Sequence, residues 1–181
     1  MSDRFRAALR RHPGGIAVIT AAGVAGPVGF TATSLVSVSA DAQLLSFNIA
    51  RSSSSWPVVS AAEHVGIHLL LAGQRDLAAR FARSGADRFA PPTVWTTGPF
   101  GVPVLDGCAA TIVAASRLRV RAGDHDILVV EAVRFGRPGP AGSPLLYHDG
   151  RFCVPDTPEN ADPPVRPHVR AAPTGALSTC A

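Results

Sequence analysis

Apolar positions at the start of the chain recur at helical spacing: Phe5, Ala8 and Leu9, with His12 continuing the face. Ser2 offers an N-cap and Pro13-Gly14-Gly15 a stop, so a short first helix is predicted. The texture then changes to that of strands. Residues 15–21 read as a strand, 22–27 as a glycine-rich turn and 28–34 as its partner. Alternation continues through 35–39, Ala40-Asp41-Ala42 turns the chain, and 44–50 form another strand. Pro57 is placed to open a short helix that runs to Ala62. Residues 65–71 are apolar enough for a strand buried on both faces, and Leu77, Ala78 and Phe81 mark an amphipathic helix over 74–83 that Gly85 stops. Residues 90–104 read as loop. A long strand over 108–121, a turn at Ala122-Gly123-Asp124, a strand over 127–135 and a short pair near 145–147 and 152–154 complete the pattern.

Many antiparallel strands at short spacing, with two or three helices between them, predict a mainly β fold: a closed barrel with a few decorating helices. Strands and helices do not alternate, which argues against a doubly wound parallel sheet. From residue 155 onward prolines and acids replace periodicity. The expected organisation is one domain over residues 1–154 and a Pro-rich, disordered tail over 155–181.

Composition narrows the chemistry. Of 181 residues, 46% are hydrophobic and 17% charged, which supplies a sizeable core. All 17 basic residues are arginine. Without lysine there is no internal Schiff base and no P-loop lysine, so a phosphate must be held by arginine, hydroxyls or backbone N–H groups. Cys108, Cys153 and Cys180 are widely spaced with no C-x-x-C pair, arguing against structural zinc or a disulfide framework; no metal is expected. The polar N-terminus and the lack of a long apolar run point to a cytoplasmic protein with no membrane segment. The net charge of +4 is scattered, with no basic stripe for nucleic acid.

No G-x-S-x-G, H-E-x-x-H or G-x-G-x-x-G at a strand-to-helix turn is present. Two hydroxyl-rich segments remain. Thr31-Ala32-Thr33-Ser34 runs into Leu35-Val36-Ser37-Val38-Ser39. These hydroxyls either pair across strands or present donors to a flat polar ligand. Arg51-Ser52-Ser53-Ser54-Ser55 precedes a helix start and suits an anion, though it also reads as a polar loop. Together the segments describe a ligand with a planar polar ring and a phosphate.

Several ordered pieces carry a family resemblance: Pro13-Gly14-Gly15-Ile16-Ala17-Val18-Ile19-Thr20, Gly29-Phe30-Thr31-Ala32-Thr33-Ser34-Leu35-Val36-Ser37-Val38-Ser39 and Asn48-Ile49-Ala50-Arg51-Ser52-Ser53-Ser54. Leu77-Ala78-Ala79-Arg80-Phe81-Ala82, Asp87-Arg88-Phe89, Val104-Leu105-Asp106-Gly107 and Gly123-Asp124-His125-Asp126-Ile127-Leu128 follow in order. Over roughly residues 5–154 the chain resembles the flavin reductase-like, FMN-binding split barrels that serve two-component monooxygenases. The resemblance implies an antiparallel, Greek-key-like split β-barrel and an NAD(P)H:flavin oxidoreductase. FMN, or alternatively FAD, would be the flavin, NADH or NADPH the electron donor, and a flavin-dependent monooxygenase the receiver of reduced flavin. It also implies a homodimer.

By position, the resemblance assigns Thr31, Ala32, Thr33 and Ser34 to the isoalloxazine and ribityl chain. Asn48, Arg51, Ser52, Ser53 and Ser54 also face the flavin, the serines and arginine meeting its phosphate. Phe81, beside Arg80 and Arg83, lies on the helix that closes over the cofactor, and Arg88 with Phe89 meets the phosphate end or a partner subunit. His125 falls near the nicotinamide as the catalytic candidate; by itself it also reads as a solvated turn histidine between Asp124 and Asp126. Two places depart from the family pattern: His68 stands where asparagine is usual, and residues 90–97 align poorly. They leave open a tailoring oxidoreductase that retains its flavin and acts on an organic substrate, or a flavin-binding protein without turnover.

Overall fold

The computed structural model describes residues 2–156. Helix α1 (Ser2–Arg10) leads through β1 (Gly14–Gly15) into the hairpin of β2 (Ala17–Gly23) and β3 (Gly26–Ala32). Both hairpin strands sit two residues nearer the turn than the pattern predicts. Gly26, at φ 123°, lets the chain reverse over Val24 and Ala25 alone. Strands β4 (Val36–Ser39) and β5 (Leu44–Ala50), helix α2 (Trp56–Val59), strand β6 (His64–Leu69) and helix α3 (Arg75–Ala82) follow. The remaining strands are β7 (Trp95–Thr97), β8 (Pro103–Leu105), β9 (Ala110–Ala122), β10 (His125–Phe135), β11 (Leu146–His148) and β12 (Arg151–Cys153).

One seven-stranded antiparallel sheet, ordered β3-β2-β6-β9-β10-β5-β4, carries the fold. It rolls up far enough for Phe30 of β3 and Phe47 of β5 to touch, their ring centroids 6.1 Å apart, although four strands separate them in the sheet. Backbone pairing does not close the roll: β3 bonds only to β2, which leaves a seam between β3 and β5. The expected closed barrel is thus an open, curled sheet. The mainly β, antiparallel class is as predicted.

Strand β2 is buried on both faces, and its alternation separates two cores. Ala17, Ile19 and Ala21 point into the roll with Phe30, Phe47, Ile49, Ile67 and Leu128. Val18 points outward into a second cluster with Leu70, Ala78, Phe81 and Leu105, covered by α3 and the β7–β8 hairpin. Each fully buried large side chain contributes roughly 1.5–3 kcal/mol. Thr20 Oγ1, also buried, donates to the Pro103 carbonyl at 2.6 Å and fastens that hairpin to the sheet.

The structure corrects two expectations. The helix predicted through Ala62 is the single turn of α2, because its bonds tighten to three-residue turns at Ala61 and Ala62 before β6 begins. Residues 90–104 hold the paired strands β7 and β8, whose pairing the neighbouring Pro and Gly obscure. The predicted first helix, α1, is present and leaves its apolar face in solvent, with Phe5 66% and Leu9 54% exposed. No helix among the described residues is long and apolar enough to cross a membrane. The tail assigned to 155–181 lies outside the described residues beyond Asp156.

His68 is fully buried on the outward face of β6. Its Nδ1 lies 3.0 Å from the Val18 carbonyl, which can only accept, so the ring proton sits on Nδ1. Nε2 is buried without a partner. Desolvation outweighs the Val18 bond and lowers the pKa to about 4. The folded state therefore holds the neutral ring, whereas an unfolded histidine protonates near 6.5. Stability is complete above that value and falls as pH drops from it to about 4, by roughly 3 kcal/mol from this group. Urea unfolding measured across that window is expected to show the loss, and His68→Asn, which carries no titrating group, to flatten it.

Candidate active site

The seam is where the hydroxyl-rich segments meet. At the end of β3 the chain turns, and Ser34 Oγ accepts the Asn48 N–H at 2.9 Å, so one side chain spans what backbone pairing leaves open. Residues 31–34 form one side of the resulting cleft, and the end of β5 with the serine loop forms the other. Its volume is about 460 Å³, inside the roughly 300–1,000 Å³ usual for small-molecule sites. No carboxylate lines it, while Arg88 and His125 do.

One end is built for an anion. Ser55 is fully buried and its Oγ donates to the Gly29 carbonyl at 2.8 Å, binding the serine loop to β3. Arg88 Nη1 reaches Ser54 Oγ and Ser55 Oγ, each at 3.2 Å, and Nη2 donates to the Arg83 carbonyl at 2.8 Å. Its Nε is buried without a partner. Burial lowers the Arg88 pKa, but a guanidinium stays charged at neutral pH. Ser53 Oγ accepts the Ser55 N–H at 3.3 Å, while the N–H groups of Ser52 and Ser54 find no backbone acceptor among the described residues. A fixed cation with open N–H and hydroxyl donors fits a phosphate. The single turn of α2 is too short to add much of a dipole.

The other residues divide by what their side chains already do. Thr31 Oγ1 donates to the Ala78 carbonyl at 2.7 Å, so this hydroxyl joins α3 to β3. Thr33 and Asn48 keep exposed polar groups at the cleft, and Ala32 turns its methyl into the core. Phe81 borders the cleft, yet its ring is fully buried; it packs edge-on against Phe89 at 5.2 Å and forms a wall. That packing needs Gly29, where an added Cβ would come within 2.8 Å of the Phe81 ring. His125 opens β10 at the cleft, and its Nδ1 lies 2.7 Å from Asp124 Oδ1. The bond from His125 holds the Asp124 carboxyl below its usual range, and leaves His125 Nε2 for a ligand.

Of the expected site residues, Thr31, Ala32, Thr33, Ser34, Asn48, Ser52, Ser53, Ser54, Phe81, Arg88 and His125 all line the cleft. Arg51 does not. Its guanidinium lies over the Trp56 ring, 6.0 Å from the centroid, and the arginine that reaches the serines is Arg88. Ser55 was the residue to find: it is the last serine before Trp56-Pro57, and only burial distinguishes it from its exposed neighbours Ser52 and Ser54. Ser84 also lines the cleft, without any signal in the pattern. Arg88→Ala is expected to weaken FMN binding about 10- to 100-fold, the range of a charge-assisted contact. Arg51→Ala should change it less than about twofold; fluorescence titration of FMN separates the two.

Comparison with known proteins identifies the family of the fold. The model of the flavin reductase-like domain matches residues 9–155. An NADH:FMN oxidoreductase of Rhodococcus qingshengii is 44% identical over 154 residues, covering 83% of this chain and 80% of that protein. An actinorhodin polyketide dimerase of Streptomyces coelicolor is 39% identical over 151 residues, covering 83% and 84%. Among solved structures, a flavin reductase domain protein from Arthrobacter sp. superposes with a TM-score of 0.83 at 38% identity, over 90% of this chain and 99% of that one. An NADH:FAD oxidoreductase from Streptomyces globisporus, in complex with NAD and FAD fragments, gives 0.80 at 27% identity, over 88% and 95%. The family match spans almost all the described residues, and the curled antiparallel sheet agrees with it: the chain belongs to the flavin reductase-like domain family.

Proposed function

We propose that this protein is an NAD(P)H:flavin oxidoreductase that supplies reduced FMN to a partner monooxygenase. The observation that carries the reading is the Arg88–serine cradle at one end of an acid-free cleft, with His125 also on its lining. A bound flavin supplies the ring that takes hydride from a reduced nicotinamide. The chain's own task is then positioning. Arg88, Ser52 and Ser54 hold the phosphate, and Thr33 and Asn48 offer polar groups along the cleft wall. His125, steadied by Asp124, presents Nε2 to the carboxamide of the donor. No nucleophile or acid–base dyad is required, which agrees with the residues found. The same cradle accepts the flavin-side phosphate of FAD.

A second reading is that the flavin is retained and an organic substrate is oxidised or reduced directly; a relative named for an organic substrate, the polyketide dimerase, favours keeping it in view. Stopped-flow absorbance of the protein with excess FMN, mixed anaerobically with NADH or NADPH, distinguishes them. The first reading predicts bleaching of many flavin equivalents per protein. Retained flavin with slow donor oxidation would support the second, and flavin that stays oxidised would remove the first. His125→Ala is expected to lower turnover about 10- to 100-fold while FMN affinity holds.

A homodimer is part of the proposal. The outer face of the sheet leaves Leu118, Val120, Val36 and Val38 between 44% and 56% exposed. Leu118, Val129, Ser46 and Val36 lie side by side across β9, β10, β5 and β4, forming a band beside Asn48 and His125. Such a band fits an interface next to the cleft. Leu118→Asp is expected to convert a dimer to a monomer in sedimentation experiments; an unchanged mass would remove this face from the interface.

A further inference from the structure

His125 and the serine loop are tied together at two points beyond the pairing of β5 with β10. The Arg51 N–H donates to the Asp124 carbonyl at 3.0 Å. At the far end of the loop, the Trp56 indole N–H donates to Asp126 Oδ2 at 2.9 Å. The residues on either side of His125 thus hold the residues on either side of the four serines at 52–55. Since His125 itself pairs with Ala50, the loop is closed into a ring with the start of β10.

Asp126 breaks the pattern of its strand. It shares the inward face of β10 with Leu128 and Val130, both in the apolar roll, and is only 4% exposed. An apolar residue would satisfy that position, because burying a carboxylate is unfavourable unless it is well paired. The pairing is given to Trp56. Among the described residues the one other partner is Arg119, whose Nε lies 4.0 Å away on a half-exposed side chain that also donates to the Ser60 carbonyl. Arg51, absent from the cleft lining, lies over the same indole. A buried carboxylate spent on one indole N–H fixes where Trp56, and with it the end of the serine loop, must sit.

Phosphate is the ligand that acts on this ring of contacts. It engages Arg88 and the open N–H groups of Ser52 and Ser54 from the cleft side. A loop drawn in there bears on β10 through Trp56 and Asp126, and a displacement of roughly 1 Å at a positioning group changes a rate about 100-fold. We propose that Asp126 and Trp56 are positioning residues that couple the phosphate cradle to His125, so that a flavin carrying a phosphate sets His125 for the donor and riboflavin does not. The inference rests on the flavin-reductase reading and makes the preference for a phosphorylated flavin a matter of rate as well as of binding. The step served is the transfer of a hydride, with its two electrons, from a dihydronicotinamide to the flavin ring, which leaves oxidised nicotinamide and reduced flavin.

Three variants of the full-length protein test the coupling. Trp56→Phe removes the indole donor, Asp126→Leu removes the acceptor, and Asp126→Asn keeps an acceptor without the charge. One measurement needs no turnover: saturating inorganic phosphate, with no flavin present, is expected to shift the His125 ring resonances in nuclear magnetic resonance spectra. His125→Ala assigns them, and the shift should be about fivefold smaller in Trp56→Phe. No shift in the parent, or an equal shift in both proteins from the direct field of the phosphate, would overturn the proposal. The other measurement is kcat at saturating donor for FMN against riboflavin. The ratio is expected to favour FMN by about tenfold in the parent and by less than about twofold in Trp56→Phe and Asp126→Leu, with Asp126→Asn keeping most of it. A parent ratio near one, or variants that slow both flavins alike, would also overturn it. A protein whose His125 responds to phosphate through Trp56 yet reduces neither flavin would fail the reductase reading alone.

Discussion

The buried hydroxyl of Ser55 is bonded on both sides, and the cleft depends on that. It donates to the Gly29 carbonyl and accepts from Arg88, so one oxygen joins the serine loop, the edge strand and the cation. Gly29 in turn is where Phe81 approaches the strand too closely for any side chain. The loop, α3 and Arg88 are thereby referred to the same few atoms of β3. An unmade bond at a buried hydroxyl costs roughly 1–3 kcal/mol, and here it would also remove one of the three bonds that hold the Arg88 guanidinium. Geometry in this part of the molecule follows from satisfying a small polar knot inside an apolar wall.

The two-faced burial of β2 has a related effect. Because alternate residues enter different cores, the strand has no solvent side, and a slip of one residue would exchange Ile19 for Val18 in both clusters at once. His68 belongs to that second cluster through its bond to Val18, and stays neutral there at the cost of an unpaired Nε2. The departure from the family pattern at this position is therefore a matter of the outer core, and His68 does not itself line the cleft.

Much of this was legible in the sequence. Alternation located the long strands, and the two hydroxyl segments do face each other across one cleft. Pattern failed where the deciding contact is remote. Arg51 is next to the serines in sequence, but the side chain that reaches them is Arg88, more than thirty residues on. Serine repetition does not reveal that Ser55 alone is buried. The β7–β8 pair was hidden because proline and glycine mark its connection, and Trp95 reads as an irregular residue until its indole N–H is seen donating to the Phe89 carbonyl at 3.2 Å. Tertiary hydrogen bonds, not local propensity, decide each of these.

The incomplete closure of the sheet also bears on how quickly a ligand can come and go. Along a paired edge, widening means breaking a ladder of backbone bonds together. At this seam the Ser34 hydroxyl spans the gap to the Asn48 backbone. Parting one such contact costs about 0.5–1.5 kcal/mol, comparable to thermal energy. A protein that hands its cargo on intact benefits from a wall held by separate contacts, Ser34 to Asn48 at the cleft and Ser55 to Gly29 deeper in, since the first can part while the second keeps the framework together.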